Sequence, residues 1–368
     1  MNLIDLGWND FFAGSFAPLK LRGLKPGRIA EEHRELYEIF CEDGQFKAEV
    51  SGKFRFAAQA RADFPGIGDW VAINVFPGEA KAIIHAVLPR KSLFSRRAVL
   101  AGGMPETGGK TEEQILAANI DTVFLISGLD NDFNVRRIER YLSAAWESGA
   151  TPVIVLNKAD ICDDIEARIR EVERVAPAVD IFSVSAAKND GFANIQKYLQ
   201  PGRTAALLGS SGVGKTSIIN CLLGENRLKT TEVRKDDSRG RHTTTHREMI
   251  ILPTGGIVID TPGLRSFKVW DGEEGLARLF EDIEELALRC RFTDCGHTDE
   301  PGCAIKSALT DGLLDPGRYE NYQKLQKEQR FLATRKNQKE VRKQQRAMGK
   351  KFKQYHKMMT RLRNKGLI

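Results

Sequence analysis

The sequence has little that would place it in a membrane. No apolar run reaches the ~20 residues that a bilayer-spanning helix requires. The opening residues, MNLIDLGWNDFFAGSF, lack the basic start and apolar core of a secretory signal. A membrane span and an export signal are set aside, and a cytoplasmic location is expected. Cysteine is scarce, 6 in 368 residues, and Cys41, Cys162 and Cys221 are scattered. That usage excludes a disulfide-stapled framework. No internal repeat is visible, which sets aside solenoids and propellers.

What is present is unevenly placed. The chain carries a net charge of +7, yet Lys324 to Ile368 holds 16 Lys and Arg against 2 Glu, a net of +14 that leaves −7 on the rest. The basicity belongs to the tail, and such a block suits a polyanionic partner.

The length predicts two or three domains in a multidomain α/β chain. An N-terminal extension is expected over 1–32. QFKAEVSGKFRF, DWVAINVF and AKAIIHAVL read as short strands between turn signals, which predicts a β-barrel over 33–97. A Gly-rich polar linker follows over 98–114. DTVFLIS, TPVIVLN, DIFSVSA, TAALLGS and GGIVID then alternate with helical stretches, so 115–270 should fold as a mainly parallel sheet with helices on both faces. A metal-binding helical domain over 271–323 and a basic helical tail over 324–368 complete the chain.

Gly209, Ser210, Ser211, Gly212, Val213, Gly214, Lys215 and Thr216 fit G-x-x-x-x-G-K-[ST], after a strand and before the helical run that opens at Ser217. In that context the glycines let backbone N–H groups surround phosphate oxygens, and the helix N-terminus adds favourable partial charge. Lys215 would reach the β- and γ-phosphates, and the Thr216 hydroxyl would bind Mg²⁺.

Asn157, Lys158 and Asp160 form N-K-x-D at the end of TPVIVL. The Asp160 carboxylate accepts from the N1–H and 2-amino groups of guanine. Adenine offers neither donor and would leave the carboxylate unpaired, which disfavours an ATPase. Ser185 and Ala186, after DIFSV, fit a second base-contacting loop. Asp260 ends GGIVI in D-T-P-G, placed to hold Mg²⁺ through water, with the Gly263 N–H sensing the γ-phosphate. Thr243, Thr244 and Thr245 lie between these motifs, and Thr244 is favoured to complete the Mg²⁺ shell.

The order of the motifs is rotated. In Ras-like proteins the phosphate loop comes first and N-K-x-D late; here N-K-x-D and S-A precede the phosphate loop and D-T-P-G comes last. With a β-barrel before this core and a Cys/His cluster after it, and with the SRGRHTTT segment, residues 33 to 323 resemble the RsgA (YjeQ) family of circularly permuted GTPases. That resemblance implies an OB-fold, a permuted GTPase core and a zinc domain. It implies dependence on the small ribosomal subunit, a role in that subunit's late maturation through rRNA contact, and the nucleotides GTP and GDP. A monomer is expected.

Where Ras has a water-orienting glutamine after D-x-x-G, this chain has Leu264. Slow intrinsic hydrolysis and reliance on a partner follow. His242, beside the threonine run, is the candidate to orient water, since an imidazole with a pKa of ~6.5 suits proton transfer; the resemblance points to the same position. Cys290, Cys295, His297 and Cys303 supply three thiolates and an imidazole, a set that suits a closed, structural tetrahedral Zn²⁺ site.

Lys53, Arg55, Arg90, Lys91, Arg96 and Arg97 in the barrel interleave with Phe54, Phe56 and Phe94, but alternation of the phenylalanines reads as core rather than as base platforms. Two other readings stand beside the leading one. One is a signalling GTPase switch with a protein partner. The other is a non-catalytic RNA-binding module that uses GTP as a structural ligand.

Overall fold

The computed structural model describes residues 1–33, 36–99, 111–225, 227–228, 248–260, 273–298 and 300–330. The chain divides into two compact units, one of residues 1–270 with 277–281, the other of 271–276 with 282–368.

The first unit holds an 11-stranded sheet in the order β10 (Ile181–Ser183), β9 (Thr151–Asn157), β8 (Thr122–Gly128), β11 (Thr204–Gly209), β13 (Ile257–Asp260), β12 (Glu248–Ile251), β1 (Lys25–His33), β2 (Leu36–Cys41), β3 (Gly44–Val50), β5 (Lys81–Val87), β4 (Trp70–Phe76). Its α/β half comprises β8 (Thr122–Gly128), α3 (Val135–Glu147), β9 (Thr151–Asn157), α4 (Ile165–Glu173), β10 (Ile181–Ser183), α5 (Ala193–Gln196), β11 (Thr204–Gly209), α6 (Lys215–Leu223), β12 (Glu248–Ile251) and β13 (Ile257–Asp260). β10, β9, β8, β11 and β13 are parallel, and β12 runs antiparallel to β13. Strands β8, β11 and β13 are buried at every position. That is why they read as unbroken apolar runs: helices cover both faces of such a sheet. Phe124, Val155, Leu207, Ile218 and Val258 share one core there.

β1 (Lys25–His33), β2 (Leu36–Cys41), β3 (Gly44–Val50), β4 (Trp70–Phe76) and β5 (Lys81–Val87) form a five-stranded barrel that closes through the β1–β4 pairing. Burial alternates along β2 and β3, as a barrel with one filled interior requires. β1 is bulged between Ile29 and Glu31, and beyond the bulge Glu31 pairs with Glu248 of β12. The barrel and the α/β sheet are therefore one hydrogen-bonded surface.

Several elements differ from the sequence expectations. The first barrel strand starts at Lys25, inside the stretch expected as an extension. The residues before it form α1 (Asp10–Lys20), whose Phe12 and Phe16 pack with Leu6, Trp70 and Leu88. Residues 111–114, expected as linker, belong to β7 (Thr111–Ala118), which pairs antiparallel with β6 (Leu93–Val99) in a separate two-stranded sheet. SGKFRF is not strand: α2 (Gly52–Ala57) starts there because the Ser51 hydroxyl accepts from the Phe54 N–H as an N-cap. Helical spacing then separates the two phenylalanines. Phe54 packs against the barrel core, while Phe56 is 94% exposed.

Arg28 is buried where these parts meet. It donates to the carbonyls of Gly68 at 3.3 Å, Asn119 at 3.1 Å and Leu6. Desolvation pulls its pKa down to about 10, even though Asp121 and Asp69 act the other way. One side chain thus ties the N-terminal segment, a barrel loop and the entry to β8.

α7 (Glu273–Leu279) is divided between the two units, and the second unit contains α8 (Glu281–Leu288), whose first residue belongs to the first unit, and α9 (Ala304–Thr310). A helix over 316–330 follows. Arg318 makes a two-pronged contact with Asp282 at 3.0 and 2.8 Å, and the Tyr322 hydroxyl donates to Glu284 at 2.6 Å. The helix crosses the expected boundary at 323/324, and Leu325 is buried, so the basic tail begins as a packed continuation of this unit. Among the described residues, no helix is long and apolar enough to cross a membrane.

Candidate active site and metal centre

The carboxyl ends of parallel strands are where an open α/β sheet binds ligands. β9, β11 and β13 end there in Asn157, Gly209 and Asp260. The turn from β11 into α6 needs its glycines. A Cβ at Gly209 would meet the Ile126 carbonyl at 2.5 Å, and one at Gly214 would meet Asn157 Nδ2 at 2.3 Å. Gly212 and Gly214 also have φ of 82° and 93°, the left-handed region that glycine tolerates. Lys215 is buried within the loop, where its ammonium donates to the carbonyls of Gly209 at 2.6 Å and of Ser210.

Asn157 stitches the loops together. Its Nδ2 donates to the Val213 carbonyl at 2.8 Å, and its Oδ1 accepts from the Ala186 N–H at 3.1 Å. The Ser185 hydroxyl donates to Asp160 Oδ1 at 2.6 Å and holds that carboxyl below its ordinary range. Lys158 has φ of 66° and an ammonium 2.5 Å from Asp130 Oδ2. An ionised Asp160, anchored by Ser185, is an acceptor for paired N–H donors. Asp260 is 6% exposed, on the strand next to β11. Asn157, Lys158, Asp160, Ser185, Ala186, Val213, Gly214 and Lys215 thus form one connected set.

The second unit brings Cys290, Cys295, His297 and Cys303 together, with their ligand atoms within 4.8 Å of one another. His297 Nδ1 is 3.6 Å from Cys290 Sγ and 3.5 Å from Cys303 Sγ, and those two sulfurs are 4.0 Å apart. Tetrahedral Zn²⁺ with bonds of ~2.0–2.3 Å has ligand separations of that size. Glu300 shapes the turn: Gly296 and Thr298 each donate a backbone N–H to it at 2.9 Å. With its own N–H they hold its carboxyl down at about 2. Desolvation, with the Cys303 and Cys290 sulfurs, pushes the Cys295 thiol up to about 11. A thiophilic cation reverses that by stabilising thiolates.

The chain matches the model of one family, RsgA GTPase, over residues 87–270. It is 47% identical to the small ribosomal subunit biogenesis GTPase RsgA of Opitutus terrae, over 91% of this chain and 92% of that one. The chain belongs to the RsgA GTPase family. A second RsgA, from Lactiplantibacillus plantarum, is 43% identical over 95% of this chain and 96% of its own. Among solved structures, YjeQ from Thermotoga maritima aligns with a TM-score of 0.59 and 27% identity, covering 83% of this chain and 98% of that one. YloQ, a circularly permuted GTPase, aligns at 0.58 with 23% identity and supports the fold alone.

Membership of the RsgA family makes this chain a GTP hydrolase with a circularly permuted core and an OB-like barrel. His242, Thr243, Thr244, Thr245, Gly263, Leu264 and the tail beyond residue 330 lie outside the described residues, as do the side chains of Arg96 and Arg97. The barrel cations are not one free surface. Arg90 grips Asp69 at 2.7 and 2.6 Å, and also donates to the carbonyls of Ala62 and Phe64. The Lys91 ammonium lies over the rings of Phe11 and Phe12 at 5.3 Å from each. Phe94 is fully buried, as alternation implied, whereas Phe56 is not. Sequence reasoning missed Asp130, Asp132 and Arg137, which contact Lys158 and Ser210. The signal was available: the turn-rich DNDFN directly follows an apolar strand, at the sheet end where loops bind.

Proposed function

We propose that this chain hydrolyses GTP to GDP and phosphate in the late maturation of the small ribosomal subunit, slowly alone and faster on the subunit. The carrying observation is the connected set around Asn157 on a permuted core, in a chain 47% identical to a protein named for small-subunit biogenesis. The switch and binding-module readings are not favoured by that likeness.

In this reading Asp160 selects guanine and the backbone of 209–217 cradles the phosphates. Lys215 leaves its carbonyl partners for the β- and γ-oxygens, so an internal contact is exchanged for one that strengthens as charge develops. Mg²⁺, held by Thr216, Asp260 and Thr244, would neutralise charge on the β- and γ-oxygens. Gly263 senses the γ-phosphate, and His242 orients the water that Leu264 cannot. Zn²⁺ on Cys290, Cys295, His297 and Cys303 would fix the second unit. The basic tail and exposed barrel residues such as Lys53 supply rRNA phosphate contacts, with steep salt dependence. The protein acts as a cytoplasmic monomer.

The test is steady-state GTP hydrolysis by the purified protein, alone and with isolated small subunits. The expected result is a large rise with subunits that His242→Ala removes. Absence of a rise overturns the partner, and a rise that survives His242→Ala overturns the role of the histidine.

A further inference from the structure

The loop between β8 and α3 does not belong to any of the recurring nucleotide motifs, yet it touches two of them. Asp132 Oδ2 accepts from the Ser210 hydroxyl of the phosphate loop at 2.8 Å. Arg137 Nη1 lies 2.9 Å from the same hydroxyl and 2.5 Å from Asp132 Oδ2, and its Nη2 lies 3.0 Å from Asp132 Oδ1. The loop is itself anchored. The Leu129 N–H donates to the Asn157 carbonyl at 2.8 Å, and Asp130 Oδ1 accepts from the Asp132 N–H at 3.1 Å. Its Oδ2 meets Lys158 at 2.5 Å, and Asn134 caps α3 by accepting from the Arg137 N–H at 3.0 Å. A continuous polar path therefore runs from Ser210 through Asp132 and Asp130 to Lys158.

One member of that path is chemically awkward. A carboxylate hydrogen-bonded to a phosphate loop carries the same sign as the ligand. Like charges repel, and the repulsion grows with ligand charge. Arg137 cancels it on the spot, and its hydrogen bonds are the main reason the Asp132 carboxyl sits below its ordinary range. We propose that Arg137 is a positioning residue for nucleotide binding: it neutralises Asp132, so that this carboxylate can brace Ser210 without repelling the polyphosphate. The proposal rests on the reading that residues 209–217 hold the phosphates.

The two charges then predict opposite phenotypes. In the full chain, binding of fluorescent GMP, GDP and GTP is titrated at low and high salt. Arg137→Ala should weaken GTP about tenfold, GDP less and GMP least, with the loss shrinking as salt screens it. Asp132→Asn, which keeps the arginine, should tighten GTP relative to GMP. The double variant should return close to wild type, and Arg137→Lys should retain most of the affinity. Equal losses for all three nucleotides without rescue by Asp132→Asn would mean that the pair only supports the fold, and would overturn the proposal. So would an Asp132→Asn variant that binds GTP more weakly. If Lys215→Ala left all three affinities unchanged, the phosphate-loop reading itself would fail, and the brace with it.

Discussion

The candidate nucleotide site and the Cys/His cluster are built in opposite ways. The first draws on strand ends far apart in sequence, from Asn157 to Asp260, and much of it is backbone held by the sheet. The second uses four side chains between Cys290 and Cys303 of the second unit. Geometry in the first case is a product of the fold. In the second, an ion held as proposed would supply much of the fold, since structural Zn²⁺ contributes about 10–16 kcal/mol to small zinc-binding peptides.

The sharpest break of that comparison is chemical. Lys215→Ala should lower GTP turnover by about a hundredfold or more, because in the proposed reading the lysine serves the transition state, with the melting of the first unit little changed. A variant that loses the fold instead would show the phosphate loop to be part of the scaffold. Metal removal should do the reverse. A thiophilic chelator in excess Mg²⁺, or Cys303→Ser, should abolish hydrogen-exchange protection in α9 while the β8–β9–β11 strands stay protected. Loss in both units together would erase the distinction. Arg28→Ala should destabilise the first unit by about 3 kcal/mol, since it leaves buried carbonyls unpaired, and denaturant unfolding reads this directly. The smallest effect should be at α2: Phe56→Ala should change stability by under ~0.5 kcal/mol, against ~3–5 kcal/mol for Phe94→Ala. A large stability loss at Phe56 would show the ring packed in solution.

Much of this was legible in the sequence. The fully buried strands announced themselves as apolar runs, and the glycines of 209–214 and the spacing from Cys290 to Cys303 each encode a local geometry. What was not legible depends on neighbours remote in sequence. Arg90 reads as a surface cation until Asp69 is seen to grip it. GKFRF reads as a strand because alternation is visible and the competing Ser51 cap is a single residue. Asp132 and Arg137 have meaning only once β8 is placed beside β11, which brings Ser210 to them.

The Glu31–Glu248 pairing has one more consequence. β12 is the last strand of the α/β half, and without β1 it would present a row of unpaired amides and carbonyls. Open edges of that kind recruit strands from other molecules. The β1 stretch beyond the bulge is spent on β12. The barrel thus covers that edge of the GTPase core, and an α/β half expressed without it should self-associate more than the whole chain, which sedimentation would show.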